Sequence, residues 1–144
     1  MLSRFLSKAK PNSYLSIQAY LQDTVETNEI LSTFRERLQE LTHLAVTVGY
    51  GPRFLHSTGQ LHKGDSGNGL FILLVSSTQK DLDIPDEAGS HETSISFGIL
   101  KLAQALGDRQ ALLDAGRKVI TLIIESEPTQ IITQIVQGLD DSKE

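Results

Sequence analysis

The stretch "GLFILLVSS", residues 69–77, decides the fold. Leu70 to Val75 is an unbroken apolar run, rich in the branched residues that favour strands. A strand with one wet face alternates polar and apolar positions. An unbroken run instead suits a central strand covered on both sides, as in a parallel sheet. Three other segments read as its neighbours. "YLSIQAYL", residues 14–21, alternates with period two: Leu15, Ile17, Ala19 and Leu21 share one side, and Tyr14, Ser16, Gln18 and Tyr20 the other. "LAVTVGY", residues 44–50, and the segment 118–125, "KVITLIIE", are short, apolar and β-branched.

Helical spacing fills the intervals. After "DTVE", where Asp23 and Glu26 read as a capping box, Ile30, Leu31, Phe34, Leu38 and Leu41 recur at helical intervals. Ile95, Ile99, Leu102 and Leu106 predict a helix ending at Gly107. A shorter helix then ends at Gly116. Pro128 opens a last helix with Ile131, Ile132, Ile135, Val136 and Leu139 on one face. Residues 76–92 read as a long polar surface loop. Alternation of strands and helices predicts an α/β domain, a parallel sheet with helices on both faces. Residues 14–139 form that single domain, flanked by a leader or linker over 1–13 and a solvated tail over 140–144.

Composition narrows the function. The 144 residues carry a formal net charge of −5 and no basic run, which argues against a nucleic-acid partner. No segment reaches the ~20 apolar residues of a membrane span. The absence of cysteine removes disulfides, thiolate metal sites and cysteine nucleophiles, and fits a cytoplasmic protein.

Chemistry is concentrated in "GPRFLHSTGQLHKG", residues 51–64. Arg53 and Lys63 supply fixed positive charge. Ser57, Thr58 and Gly59 offer hydroxyls and N–H groups at a helix start, and Gln60 can contact a neutral hydroxyl. The group suits a phosphate or carboxylate; a plain helix cap is the alternative for Ser57 or Thr58. His56 and His62 stand six positions apart, on different faces of a helix, so they do not predict a metal pair. Either imidazole suits general acid–base work near neutral pH. Lys101, among apolar residues, reads as a snorkelling surface lysine. Because the cluster follows a strand, it is expected beyond the carboxyl edge of the sheet, where α/β proteins bind ligands.

"TVGYGPRFLHSTGQLHKG", together with "YLSIQAYLQDT", "SFGILKLAQALGDRQAL" and "GRKVITLII", resembles the carboxyl-terminal part of fused transaldolase/glucose-6-phosphate isomerase proteins over roughly residues 14–124. The resemblance implies a sugar-isomerase fold, a flavodoxin-like three-layer sandwich with a mainly parallel sheet of about four or five strands. It implies interconversion of glucose 6-phosphate and fructose 6-phosphate, with no cofactor. It also implies a ring-opening histidine, His62 from the run "QLHKG" or else His56, and sugar-phosphate contacts from Arg53, Ser57, Thr58, Gln60 and Lys63. Asp65 departs from the family pattern, which has a second glycine there. The proton-shuttling glutamate of such isomerases lies upstream of this segment, and no Glu occurs here between Glu40 and Glu87. The expected partners are therefore a companion isomerase or transaldolase domain, or a second copy in a homodimer. The alternative is a non-catalytic sugar-phosphate binding or regulatory module, or a truncated relic of the fused enzyme.

Overall fold

The computed structural model describes residues 1–77 and 80–140. In chain order the elements are α1 (Leu2–Leu6), β1 (Tyr14–Tyr20), α2 (Val25–Thr42), β2 (Ala45–Tyr50), α3 (Thr58–Gly64), β3 (Gly69–Ser76), β4 (Asp83–Pro85), β5 (Thr93–Ser96), α4 (Phe97–Asp114), β6 (Lys118–Ile124) and α5 (Pro128–Asp140). A four-stranded parallel sheet runs β2-β1-β3-β6. The α/β three-layer sandwich expected from the sequence is present, with this doubly wound order at its centre.

The two faces of β1 bury different chemistry. Leu15, Ile17 and Ala19 join Leu70, Ile72, Leu74 and Ile124 in a core closed by Leu31, Phe34 and Leu38 of α2 and Ile132 and Leu139 of α5. On the other side Tyr20, Phe71, Leu73 and Val75 pack with Phe54, Ala105 and Leu112. The polar positions Ser16 and Gln18 are buried as well, because the connection through α3 and α4 covers that face too. β3, central and buried from Gly69 to Val75, is what its unbroken apolar run demands.

Several expectations change. Residues 1–13 hold α1, and Phe5, 5 % exposed, is part of the first core. Its anchoring comes from distant residues, so the local sequence gives no sign of it. α2 is capped by Thr24, whose side chain accepts from the Thr27 N–H at 3.1 Å, while Asp23 instead bonds Asn28. Residues 76–92 are not all loop, since β4 pairs antiparallel with β5. α4 runs straight through Gly107 to Asp114, and only Gly116, with φ of 73°, is the left-handed stop. The face of α4 turned to the core carries Ala105, Asp108 and Leu112, whereas Ile99, Leu102 and Leu106 are exposed. Of the expected tail, Asp140 closes α5 and pairs with Arg37; residues 141–144 lie outside the described residues.

Candidate functional site

Strand order sets the places where a ligand can enter. β1 passes to β2 through α2 on one face, while β3 passes to β6 through α4 on the other. The connections leaving the carboxyl ends of β1 and β3 therefore pass to opposite faces, and a crevice opens where the strand order reverses. Its volume is about 570 Å³. Gln22 follows β1, Ser76 ends β3 and Ser77 follows it, Ser126 and Glu127 follow β6, and Lys80, Asp81 and Lys101 add charge. Leu82 and Phe97, both exposed, form an apolar rim.

Lys101 is the residue that sequence reasoning missed. It does not snorkel to solvent: its Nζ donates to the Ser76 carbonyl at 2.8 Å and to Ser76 Oγ at 3.1 Å. An ammonium has three donors, so one N–H remains for a ligand. Burial pushes its pKa below the ordinary lysine value, with the Asp81 charge opposing that shift. The signal in the sequence was Lys101 as the lone charge between Phe97 and Gly107. Asp81 is already committed. Its carboxylate accepts from the N–H groups of Gly98 at 2.7 Å and Leu82 at 2.9 Å and from the Ser96 hydroxyl, closing the start of α4. These bonds hold its pKa below the usual carboxylate value.

The 51–64 cluster does not converge on one anion. α3 descends from the end of β2 toward the start of β3, so the cluster is split between two ends of the sheet. Arg53, 73 % exposed, stays at the carboxyl edge and donates to Asp23 at 2.8 Å. Ser57 precedes α3 but bonds the Phe54 carbonyl at 3.3 Å, giving no side-chain cap. Gln60 donates to the Leu55 carbonyl at 3.0 Å. Lys63 turns inward to Asp108, at 2.6 Å. Thr58 borders a second, smaller cavity, and His56 is exposed with its ring in no hydrogen bond among the described residues.

His62 lies against the amino-terminal half of β1. Its Nδ1 is 3.1 Å from the Tyr14 hydroxyl, and its Nε2 is 3.4 Å from Ser16 Oγ. Tyr14 gives its own proton to Asp65, so its oxygen accepts from Nδ1–H and leaves the Nε2 lone pair toward Ser16. Arg117 completes the assembly: it lies 3.0 Å from the Asp65 carboxylate and donates to the carbonyls of His62, Lys63 and Asp65. The unexpected Asp65 thus holds the far end of α3, its charge balanced by Arg117.

Burial pushes the His62 pKa below the ordinary histidine value, outweighing the upward pull of Asp65 and Asp108; Lys63 adds a smaller downward contribution. The unfolded chain therefore takes up a proton at higher pH than the folded one. Stability is full above the unfolded value of about 6.5 and falls as pH drops through the folded value. Urea unfolding between pH 8 and pH 5, flanking the ordinary pKa of about 6.5, is expected to show this loss, and His62→Asn is expected to flatten it.

No protein-family model matches the chain, and no curated protein matches it. Among solved structures, the hypothetical protein TT0462 from Thermus thermophilus is similar, with a TM-score of 0.77 and 19 % identity. The match covers 96 % of this chain and 36 % of that one, so the chain spans about a third of that protein's length. A de novo designed Rossmann fold protein aligns at a TM-score of 0.45 and 11 % identity, over 87 % of this chain and 95 % of that one. The first likeness establishes the fold.

Proposed function

We propose that the chain is a sugar-phosphate-binding domain, the carboxyl-terminal part of a glucose-6-phosphate isomerase, with the switch-point crevice as its ligand site. The observation that carries this reading is Lys101, held at the crevice with one N–H unused beside the hydroxyls of Ser76, Ser77 and Ser126. A phosphate suits the ammonium; Ser126 suits a sugar hydroxyl, and Ser76 and Ser77, whose protons go to the Tyr20 and Ile124 carbonyls, can accept from one. The sequence resemblance supplies the substrate class. Neither His56 nor His62 borders this crevice; His56, whose ring is exposed and not bonded into the fold as that of His62 is, takes the ring-opening role only where the companion domain brings ligand and ring together.

Non-catalytic binding is the second reading. It is favoured by the engagement of Arg53, Ser57, Gln60 and Lys63 in bonds within the protein.

Calorimetric titration with fructose 6-phosphate tests the site, with inorganic phosphate as comparison. A hydrogen bond to a charged group contributes about 1.5–3 kcal/mol, so Lys101→Met is expected to weaken binding by roughly 10- to 150-fold. Unchanged affinity in the variant would remove the crevice as the phosphate site.

A further inference from the structure

Gln18 sits in the middle of β1, 1 % exposed, and neither its amide nitrogen nor its amide oxygen has a hydrogen-bond partner. Leaving both groups unpaired inside a protein is costly, and a leucine of similar size would avoid that cost. The amide borders a cavity of about 100 Å³, also lined by Ser16, Thr47, Thr58 and His62. The cavity exists because the residue beside Gln18 on β2 is Gly49. A Cβ there would come within 3.2 Å of the Phe54 ring, which also lines the space. Arg53 and Lys63, the nearby cations of the cluster, are paired elsewhere with Asp23 and Asp108. The walls therefore offer hydroxyls, an amide and an imidazole, with no permanent charge. They share no residue with the switch-point crevice.

We propose that this cavity binds a small uncharged diol or the diol end of a larger polyol, whose hydroxyls pair with both halves of the Gln18 amide. The space equals about three waters, which suits a ligand of two carbons and two hydroxyls. A carboxylate of the same size would have to shed its hydration with no cation to meet it.

The test uses the full chain labelled with nitrogen-15 and two probes, ethylene glycol and glycolate. Ethylene glycol is expected to shift the Gln18 side-chain NH₂ signals saturably, with glycolate at least about tenfold weaker. Gln18→Leu is expected to stay folded, melt no lower than the parent, and lose the saturable shifts at the Gly49 and Thr58 amides. Should that variant fail to fold, the proposal is overturned, because the amide would then be structural. Thr58→Val, a change on the exposed rim, is expected to weaken ethylene glycol binding without altering the melt. Absence of saturation in the parent, with contacts from Gln18 NH₂ to trapped water that the probe does not displace, would also overturn the proposal.

Discussion

Lys63→Met is expected to lose about 3–5 kcal/mol of folding stability, the range for removing one partner of a buried ion pair. The Asp108 side chain is wholly buried in α4, and the Lys63 ammonium stands 2.6 Å from one of its oxygens. Neither Asp108 oxygen makes a directional hydrogen bond, which leaves the Lys63 charge as their compensation, and the Tyr20 hydroxyl is likewise unpaired. Asp108 pushes the Tyr20 pKa upward in addition to burial, which puts the two groups in one electrostatic neighbourhood. With Lys63 gone, that neighbourhood would hold a bare carboxylate or force it to protonate. The double variant Lys63→Met, Asp108→Leu removes both charges. It is expected to recover most of the loss, since apolar replacements of buried pairs are often neutral or stabilising. Urea unfolding of the two single variants and the double measures the coupling directly. A cost below about 1 kcal/mol for Lys63→Met, the value of an exposed pair, would show that water reaches the pair.

The second large effect concerns turnover. The isolated chain is expected to interconvert glucose 6-phosphate and fructose 6-phosphate negligibly. Isomerisation needs a base within about 2.6–3.2 Å of the proton it moves. Among the described residues the crevice is bordered by one glutamate, Glu127, while Asp81 is consumed in holding the start of α4. Glu87 and Glu92 belong to the exposed connection between β4 and β5. Supplying an amino-terminal isomerase domain with its own glutamate is expected to restore activity. His56→Ala is then expected to cut the restored rate by roughly 10²-fold or more, the contribution of a positioned acid or base, with stability unchanged. His62→Ala would instead lower activity and stability together, because it breaks the contacts to Tyr14 and Ser16. Robust turnover by the isolated chain that Glu127→Gln abolishes would relocate the base into this domain and defeat the two-part reading.

What the sequence revealed depended on whether the deciding contact was local. β3 was legible because six apolar positions in a row, Leu70 to Val75, suit a strand covered on both faces. The period-two pattern of β1 sorted its side chains onto the correct faces, although it could not show that both faces would be covered. α4 was misread because apolar residues occur all around it. Ile99, Leu102 and Leu106 keep helical spacing yet lie outside, and the inner face carries Lys101 and Asp108, whose partners Ser76 and Lys63 lie far away in the chain. Gly107 has the form of a stop, but a helix interior tolerates one glycine at a cost of about 1 kcal/mol, and Ala105, Asp108 and Leu112 on either side of it are buried and hold α4 together. The density of polar and titratable residues in 51–64 is plain in the sequence. The cluster's division between two ends of the sheet could not be read from spacing alone, because Asp23, Asp108 and Arg117 decide where its members point.

Arg117 links distant parts of the chain. Its guanidinium binds carbonyls 55, 54 and 52 positions earlier, at the end of α3 and just after it. The last turn of α3 is therefore not a local structure. During synthesis β1, β2 and β3 emerge well before Arg117, and until it arrives the carbonyls of His62, Lys63 and Asp65 have only water to meet. The segment richest in chemistry acquires its final shape only as the sheet gains its last strand, so its order in time differs from its order in sequence.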